Sequence, residues 1–506
     1  MAQSALFRFG FICFAAADEP TGGPTWAELE PSWRRLTLGD LTLYHHPETQ
    51  VRLQRDDAGT VALIGEAFGE PGQAPDEPLD AMLGAASDEE LLRALDRLSG
   101  RFALLLLREG HPGRAFHDPV GSRSLFYREE GAFGLASHAE LVADAFGDPD
   151  DEEARALVAS EEFSSRSVKY LPGDLTMYAG VRALVPNCYY DIGARRTVRY
   201  WPRERCEPCA FEGFFDALDA HLGALASHLR GRYTPVLGVT GGIDTRTIMA
   251  AFRNHGLPFQ GLTWRRRSGG IGAPELHVAE AVAAELRLEH SYVDVAAVQD
   301  PEGIAALSRR NVGGFGRPAP ITAELHRRFA SSDALFVRGY GGELVRGFHN
   351  RLDRTPPSAR GRLRALGVKA GLARPRRPER AIDEPTPAAL LRAYDSSMGV
   401  ERGGTEYARR ATGAFEGFLE RAQYSPRLAE LGYDLSDLFY WEHRMGVWVS
   451  GRLNEMDAAL PSLVGFNSRP VFTRAFGMEP RERLTKELLH RVIHRYDEPL
   501  ASIPFL

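Results

Sequence analysis

The stretch Pro235-Val-Leu-Gly-Val-Thr-Gly-Gly-Ile-Asp-Thr-Arg-Thr-Ile-Met-Ala-Ala251 decides the reading of this chain. Its apolar run, Val236 to Val239, predicts a buried strand. Thr240-Gly241-Gly242-Ile243-Asp244-Thr245 predicts a tight turn, and Thr247 to Phe252 the opening of a helix. Strand, glycine turn and helix together aim backbone N–H groups and a helix N-terminus at an anion. The glycines let phosphate approach the main chain, and the hydroxyls of Thr240 and Thr245 add donors. Asp244 sets a carboxylate where phosphate would sit. That makes sense with a cation between them, and Mg²⁺ is the usual one beside a nucleotide. No Gly-Lys-Ser/Thr follows the glycines, so the loop is not of the Walker type. An ordinary strand-to-helix turn containing a glycine pair is the bland alternative.

Downstream, Phe259 to Trp264, His290 to Val295 and Ala334 to Arg338 read as strands, with a helix at Glu275 to Leu286 between the first two. Strands alternating with helices predict a parallel, doubly wound sheet, whose ligands bind at the carboxyl ends of the strands. A second glycine turn with an acid, Arg338-Gly339-Tyr340-Gly341-Gly342-Glu343, ends the Ala334 strand. Trp264 and Arg265-Arg266-Arg267 end another. Their backbone suits adenine and their guanidinium groups suit phosphate or carboxylate, although a solvated basic turn fits the residues equally. From Ala388 onward the chain reads as mostly helical, with a helix from Asp434 to Trp448. Asn350 to Arg380, rich in Arg, Pro and Gly, reads as a mobile surface insertion.

Upstream the chain is β-rich. Ala5 to Phe14, Leu41 to His45, Val51 to Arg55, Val61 to Glu66 and Gly100 to Leu107 are predicted strands, and Asp88 to Leu98 a helix. Tyr200 to Cys209 reads as a linker before an amphipathic helix from Phe211 to Leu229. Cys206 and Cys209 form a lone Cys-x-x-Cys with no second pair and no neighbouring His, which argues against zinc.

A length of 506 residues predicts two domains. The net charge of -7 gives no global nucleic-acid signal. No run approaches the roughly 18 apolar residues of a membrane span, and the N-terminal residues carry no secretory pattern. Four cysteines in so long a chain fit a reducing compartment, so a cytoplasmic location is expected. Lysine is scarce, which singles out Lys169, Lys369 and Lys486.

Thr240 to Thr245 resembles the Ser-Gly-Gly-x-Asp-Ser pyrophosphate loop of asparagine synthetase and the ATP-pyrophosphatase enzymes, with both serines replaced by threonine. Gly339 to Glu343 resembles that family's second metal-binding loop, with Glu343 where Asp is common. Three ordered pieces resemble the family's glutaminase domain: Gly100-Arg-Phe-Ala103, Asp118-Pro-Val-Gly-Ser-Arg-Ser-Leu-Phe-Tyr127 and Ala136-Ser-His-Ala-Glu140. Leu171 to Asp174 and Gly180 to Asn187 extend the likeness. One departure matters. A working domain of this class uses a Cys exposed as residue 1, with its own α-amine as base. Here Ala2 follows Met1, and Cys13 lies within a predicted strand as a core residue. The domain is therefore expected to be a scaffold without glutaminase activity.

The resemblance implies a glutaminase-like αββα sandwich of the N-terminal-nucleophile type over 1–205. It implies an α/β synthetase domain of the adenine-nucleotide α-hydrolase type, doubly wound with a helical end, over 206–506. ATP is expected at Val239, Thr240, Gly241, Gly242, Asp244, Thr245, Trp264, Gly339, Tyr340, Gly341 and Gly342, and Mg²⁺ at Asp244 and Glu343. Glu455, with Asp457 as its understudy, matches the family's glutamate that handles the amine. Lys486, in Lys-Glu-Leu-Leu-His-Arg491, matches the lysine that stabilises transition-state charge. The implied reaction is adenylation of a carboxylate followed by attack of an amine, as in the β-lactam synthetase and lasso-peptide cyclase branch. An ammonia-dependent asparagine synthetase homologue and a non-catalytic nucleotide-binding scaffold are the alternatives. The expected partner is a small molecule or peptide bearing the carboxylate and amine, with no membrane and no nucleic acid, and a homodimer is a possible assembly.

Overall fold

The computed structural model describes residues 5–505 except 21, 71, 74–75, 266–272, 315–319, 349–380 and 399–403. Arg266, Arg267, Lys369 and the segment 351–380 lie outside the described residues.

Among the described residues, twelve strands come from the chain up to Arg199: β1 (Phe11–Ala15), β2 (Arg34–Leu38), β3 (Leu41–His45), β4 (Val51–Asp56), β5 (Gly59–Phe68), β6 (Ser99–Arg108), β7 (Arg114–His117), β8 (Phe126–Arg128), β9 (Gly134–Ala136), β10 (Val181–Ala183), β11 (Cys188–Asp191) and β12 (Arg196–Arg199). They form two antiparallel sheets, ordered β10-β8-β9-β1-β3-β2 and β12-β11-β7-β6-β5-β4. Side chains alternate across a strand, and β1 shows the consequence. Ile12 and Phe14 face a cluster with Trp26, Leu141 and Val142 from two helices. Phe11 and Cys13 face the large core that also holds Leu63 and Leu104 of the second sheet.

The first strand begins later than the sequence predicts. Residues 5–10 turn instead of pairing, with Phe7 and Phe9 at φ of 48° and 60°. The apolar run conceals a docking segment. Phe7 N–H donates to Asn311 Oδ1 at 3.0 Å, its ring lies 4.9 Å from His138, and Ala5 packs with Ile304, Ala323 and Ala458.

The remaining strands among the described residues are β13 (Thr234–Gly238), β14 (Gln260–Arg265), β15 (Glu289–Asp294), β16 (Ala334–Arg338) and β17 (Ser462–Val464). All pair in parallel, in the order β15-β14-β13-β16-β17. The chain starts in the middle, winds outward on one side and then returns to build the other. This is a doubly wound sheet, with its topological switch at β13 and β16. The sequence predicts four of these strands and misses β17, which is three residues long. The helix Phe211–Leu229 matches its predicted bounds, and Ile243–Asn254 starts earlier than predicted, taking Asp244 into its first turn.

Residues that carry the glutaminase resemblance bind the C-terminal part of the chain. The Asn467 side chain accepts from Val120 N–H at 3.0 Å and donates to Gly100 O at 2.5 Å and Asp118 Oδ1 at 2.7 Å. Trp441 Nε1 donates to Pro119 O at 2.7 Å, and Arg199 takes Glu442 with two bonds of 2.6 and 2.7 Å. No helix among the described residues is long and apolar enough to cross a membrane.

Candidate active site

β13 and β16 are hydrogen-bonded neighbours, so the loops that leave their carboxyl ends must lie side by side. The contact is close enough to dictate composition. A Cβ on Gly339 would come within 2.6 Å of Thr245 Oγ1, and one on Gly342 within 2.4 Å of Asp244 Oδ1. Only glycine fits at either position. Gly341 adopts φ of 93°, a region that side chains disfavour, and opens the short helix Gly342–Val345. The structure thus brings together Val239, Thr240, Gly241, Gly242, Asp244 and Thr245 with Gly339, Tyr340, Gly341, Gly342 and Glu343. Thr240 Oγ1 accepts from Gly242 N–H at 3.1 Å, which bends the first loop, and Thr263 Oγ1 holds Val239 O at 2.7 Å.

Both loop acids are already engaged. Arg346 Nε donates to Asp244 Oδ1 at 3.0 Å and Nη2 to Oδ2 at 2.9 Å. Tyr440 Oη donates to Glu343 Oε2 at 2.7 Å. Burial, then Glu343, hold the Tyr440 hydroxyl well above its ordinary pKa, so it stays protonated as a donor. Mg²⁺ between Asp244 and Glu343, as the resemblance implies, does not fit this arrangement. The guanidinium of Arg346 feels both carboxylates and covers both oxygens of Asp244. No group of three or more His, Cys, Asp or Glu side chains among the described residues is placed to hold a metal ion.

Tyr440 opens a π-helix, Tyr440–Val449, the continuation of a short α-helix, Leu435–Phe439. The sequence shows the helical spacing but not the wider turn. Side chains spaced four residues apart on this segment, Tyr440, Arg444 and Trp448, lie on the side of the loops. Tyr440 meets Glu343, Arg444 lies 4.5 Å over the Trp448 ring, and Trp448 meets Tyr340 edge-on at 5.7 Å. π-Helical segments occur frequently at functional sites.

Beyond Trp448 opens a cavity of about 520 Å³, within the range of ligand pockets. Its wall includes Lys169, Tyr170 and Met177 from the first half of the chain and Trp448, Arg452 and Glu455 from the second. Glu455 is buried on the helix Ser450–Asp457 and pairs with Arg452. Arg338, at the end of β16, has both Arg452 and Glu455 in electrostatic reach, which links this cavity to the loops. Lys169 caps a helix end by donating to Phe163 O at 2.5 Å and Ser164 O at 2.6 Å.

Other predicted residues fall elsewhere. Asp457 is no substitute for Glu455, because it is fully buried in a pair with Arg101. The Trp264 ring lies over the sheet, against Phe336 at 6.2 Å, where Gly238 leaves room for it. Lys486 stands at the N-cap position of the helix Glu487–Tyr496, which packs on Ile243–Asn254, and its side chain makes no capping hydrogen bond. Arg253, near the end of the latter, bonds Asp497 just past the end of the former at 2.8 Å. The two helices therefore run the same way, and Lys486 stands at the Asp244 end. Arg483 Nε bonds Val345 O at 2.9 Å and fixes the preceding turn against the second loop. Sequence reasoning misses Arg346, Tyr440 and the cavity. Nothing in local spacing marks them, since each depends on a partner far away in the chain.

No protein-family model matches this chain. No curated protein matches it either. Among solved structures it is similar to NMN synthetase from Francisella tularensis, at 12% identity and TM-score 0.21, over 42% of this chain and 96% of that one. It is similar to the glutamine phosphoribosylpyrophosphate amidotransferase of B. subtilis complexed with ADP and GMP, at 13% identity and TM-score 0.23, over 68% and 72%. NAD+ synthetase from Burkholderia pseudomallei matches at 18% identity and TM-score 0.20, over 42% and 89%. Likenesses this remote leave the site to be judged on its own residues.

Proposed function

We propose that this chain is an ATP-dependent amide-forming ligase. It adenylates a substrate carboxylate, releases pyrophosphate and passes the acyl group to an amine, without hydrolysing glutamine. One observation carries the reading: two glycine loops, each with an acid, meet at the topological switch of a doubly wound parallel sheet. In open sheets of this kind ligands bind at that point.

In the first step a substrate carboxylate oxygen attacks the α-phosphorus of ATP. The bond to the β-phosphate breaks, and pyrophosphate leaves over the N–H group of Gly241 and the start of the Ile243–Asn254 helix. Lys486 offers a compact ammonium to the developing charge. In the second step the amine nitrogen attacks the acyl carbon and AMP departs. Glu455, beside the cavity, takes the proton the nitrogen gives up. The cavity seats the organic substrate, with Lys169, Tyr170 and Met177 on one wall and Trp448 and Glu455 on the other. On this reading the chain divides into a glutaminase-like αββα unit over 1–205 and a synthetase unit over 206–506, works in the cytoplasm, and serves the assembly of a natural product or modified peptide.

Pyrophosphate release from ATP, measured against a panel of carboxylic acids with and without amines, tests the reading. Release that depends on an acid and is lost in Asp244→Ala supports it. ATP binding with no acid-dependent release from a broad panel favours the nucleotide-binding scaffold.

A further inference from the structure

Two carboxylates in a phosphate site repel the ligand unless a cation stands with them. Here the cation is part of the chain. Arg346 is 5% exposed, grips Asp244 with two bonds and feels Glu343 as well. Burial works against its charge, and Asp244 more than restores it, so the guanidinium sits above its ordinary pKa. Gly342 provides the room, because any side chain there would displace Asp244 from the grip.

A guanidinium carries five N–H donors in a fixed fork. Nε and Nη2 serve Asp244, while Nη1 is buried with no hydrogen-bond partner among the described residues. A buried charged donor without a partner is costly and points to a group that arrives with the ligand. The fork geometry matches phosphate oxygens, which Arg binds in two-bond fashion.

We propose that Arg346 takes the place of a divalent cation between Asp244 and the phosphates, with Nη1 donating to the pyrophosphate portion of the nucleotide. This rests on the loops being a nucleotide site. Asp244 then acts as a positioning residue that holds the fork, and the ligand class is a di- or triphosphate tail, whether free pyrophosphate or that of ATP.

Calorimetry on the full chain tests the proposal, with inorganic pyrophosphate and ATP titrated first in excess chelator and then with Mg²⁺. The wild type is expected to bind both ligands in chelator. Arg346→Ala is expected to lose about 10- to 100-fold in chelator, the worth of hydrogen bonds to a charged group. Arg346→Lys should fall between, since a point charge lacks the fork. Thermal melting checks that each variant folds, and Arg346→Gln replaces the alanine variant if that one does not. Binding that needs Mg²⁺ in the wild type, and is as tight in Arg346→Ala, overturns the role of Arg346 and leaves the nucleotide site standing. Failure of ATP and pyrophosphate to bind in either buffer overturns the nucleotide site, and this proposal with it.

Discussion

Arg101 on β6 and Asp457 at the end of the Ser450–Asp457 helix face each other with both side chains out of solvent, Nη1 to Oδ1 at 2.5 Å and Nη2 to Oδ2 at 2.7 Å. Arg123 approaches the same carboxylate at 3.5 Å. Charges this deep are held by their partners, and removing one leaves the other stranded. Asp457→Ala is expected to cost about 3–5 kcal/mol of stability, read from urea unfolding. Replacing both residues by leucine should cost less than the two single changes added together. A silent Asp457→Ala would show that the two parts of the chain do not depend on this pair.

Lys486→Ala should reduce acid-dependent pyrophosphate release by about 100-fold or more, the typical loss for a donor aimed at transition-state charge. ATP affinity should change much less, because the loops hold the ground-state phosphates. Near-normal release would reduce Lys486 to a helix-end residue, and Arg444, over Trp448 and near Glu343, would be the next cation to test.

His443 sits in an aromatic shell, 4.8 Å from Phe439, and burial pushes its pKa down from 6.5 to about 3. Burial likewise pushes His221 down to about 4. Between these values and 6.5 the unfolded chain holds protons that the folded chain refuses. Stability is therefore unaffected by these groups above pH 6.5 and falls as pH drops through that window, by at most about 1.4 kcal/mol per pH unit for each histidine. His443→Phe should shallow the slope by one proton's worth. An unchanged slope in urea unfolding at a series of pH values would refute the assignment.

Glutamate release from glutamine should stay at background. Burial pushes the Cys13 thiol up to about 12, and a thiol so rarely ionised is a poor nucleophile. Turnover above background that Cys13→Ser abolishes would reverse the scaffold reading.

The parallel sheet was legible because its strands are continuous apolar runs bounded by glycine turns, as at Val236 to Gly242 and Ala334 to Gly342. The meeting of the two loops was legible too, since both end strands of one sheet. What the loops hold was not. Asp244 looked like a metal ligand by its neighbours in sequence, and Arg346, its partner in space, belongs to the other loop. Ala5 to Phe9 read as strand because apolar residues look alike whether they pair in a sheet or dock on a helix. The π-helix kept the ordinary helical pattern in sequence, and only its backbone bonding distinguishes it. β17 is too short to register as a periodic signal.

β16 ends at Arg338 and β17 begins at Ser462, and in between the chain builds helices, among them the one that brings Tyr440 to Glu343. The edge of β16 therefore waits, unpaired, for most of the synthesis of the second half. Closing so long a loop is slow, and an open strand edge invites pairing with other chains. A ribosome-bound chain that has not yet emitted Leu463 carries both glycine loops on a sheet with a raw margin. Chain overproduced and caught in this state is expected to aggregate through the open edge at Phe336 and Val337.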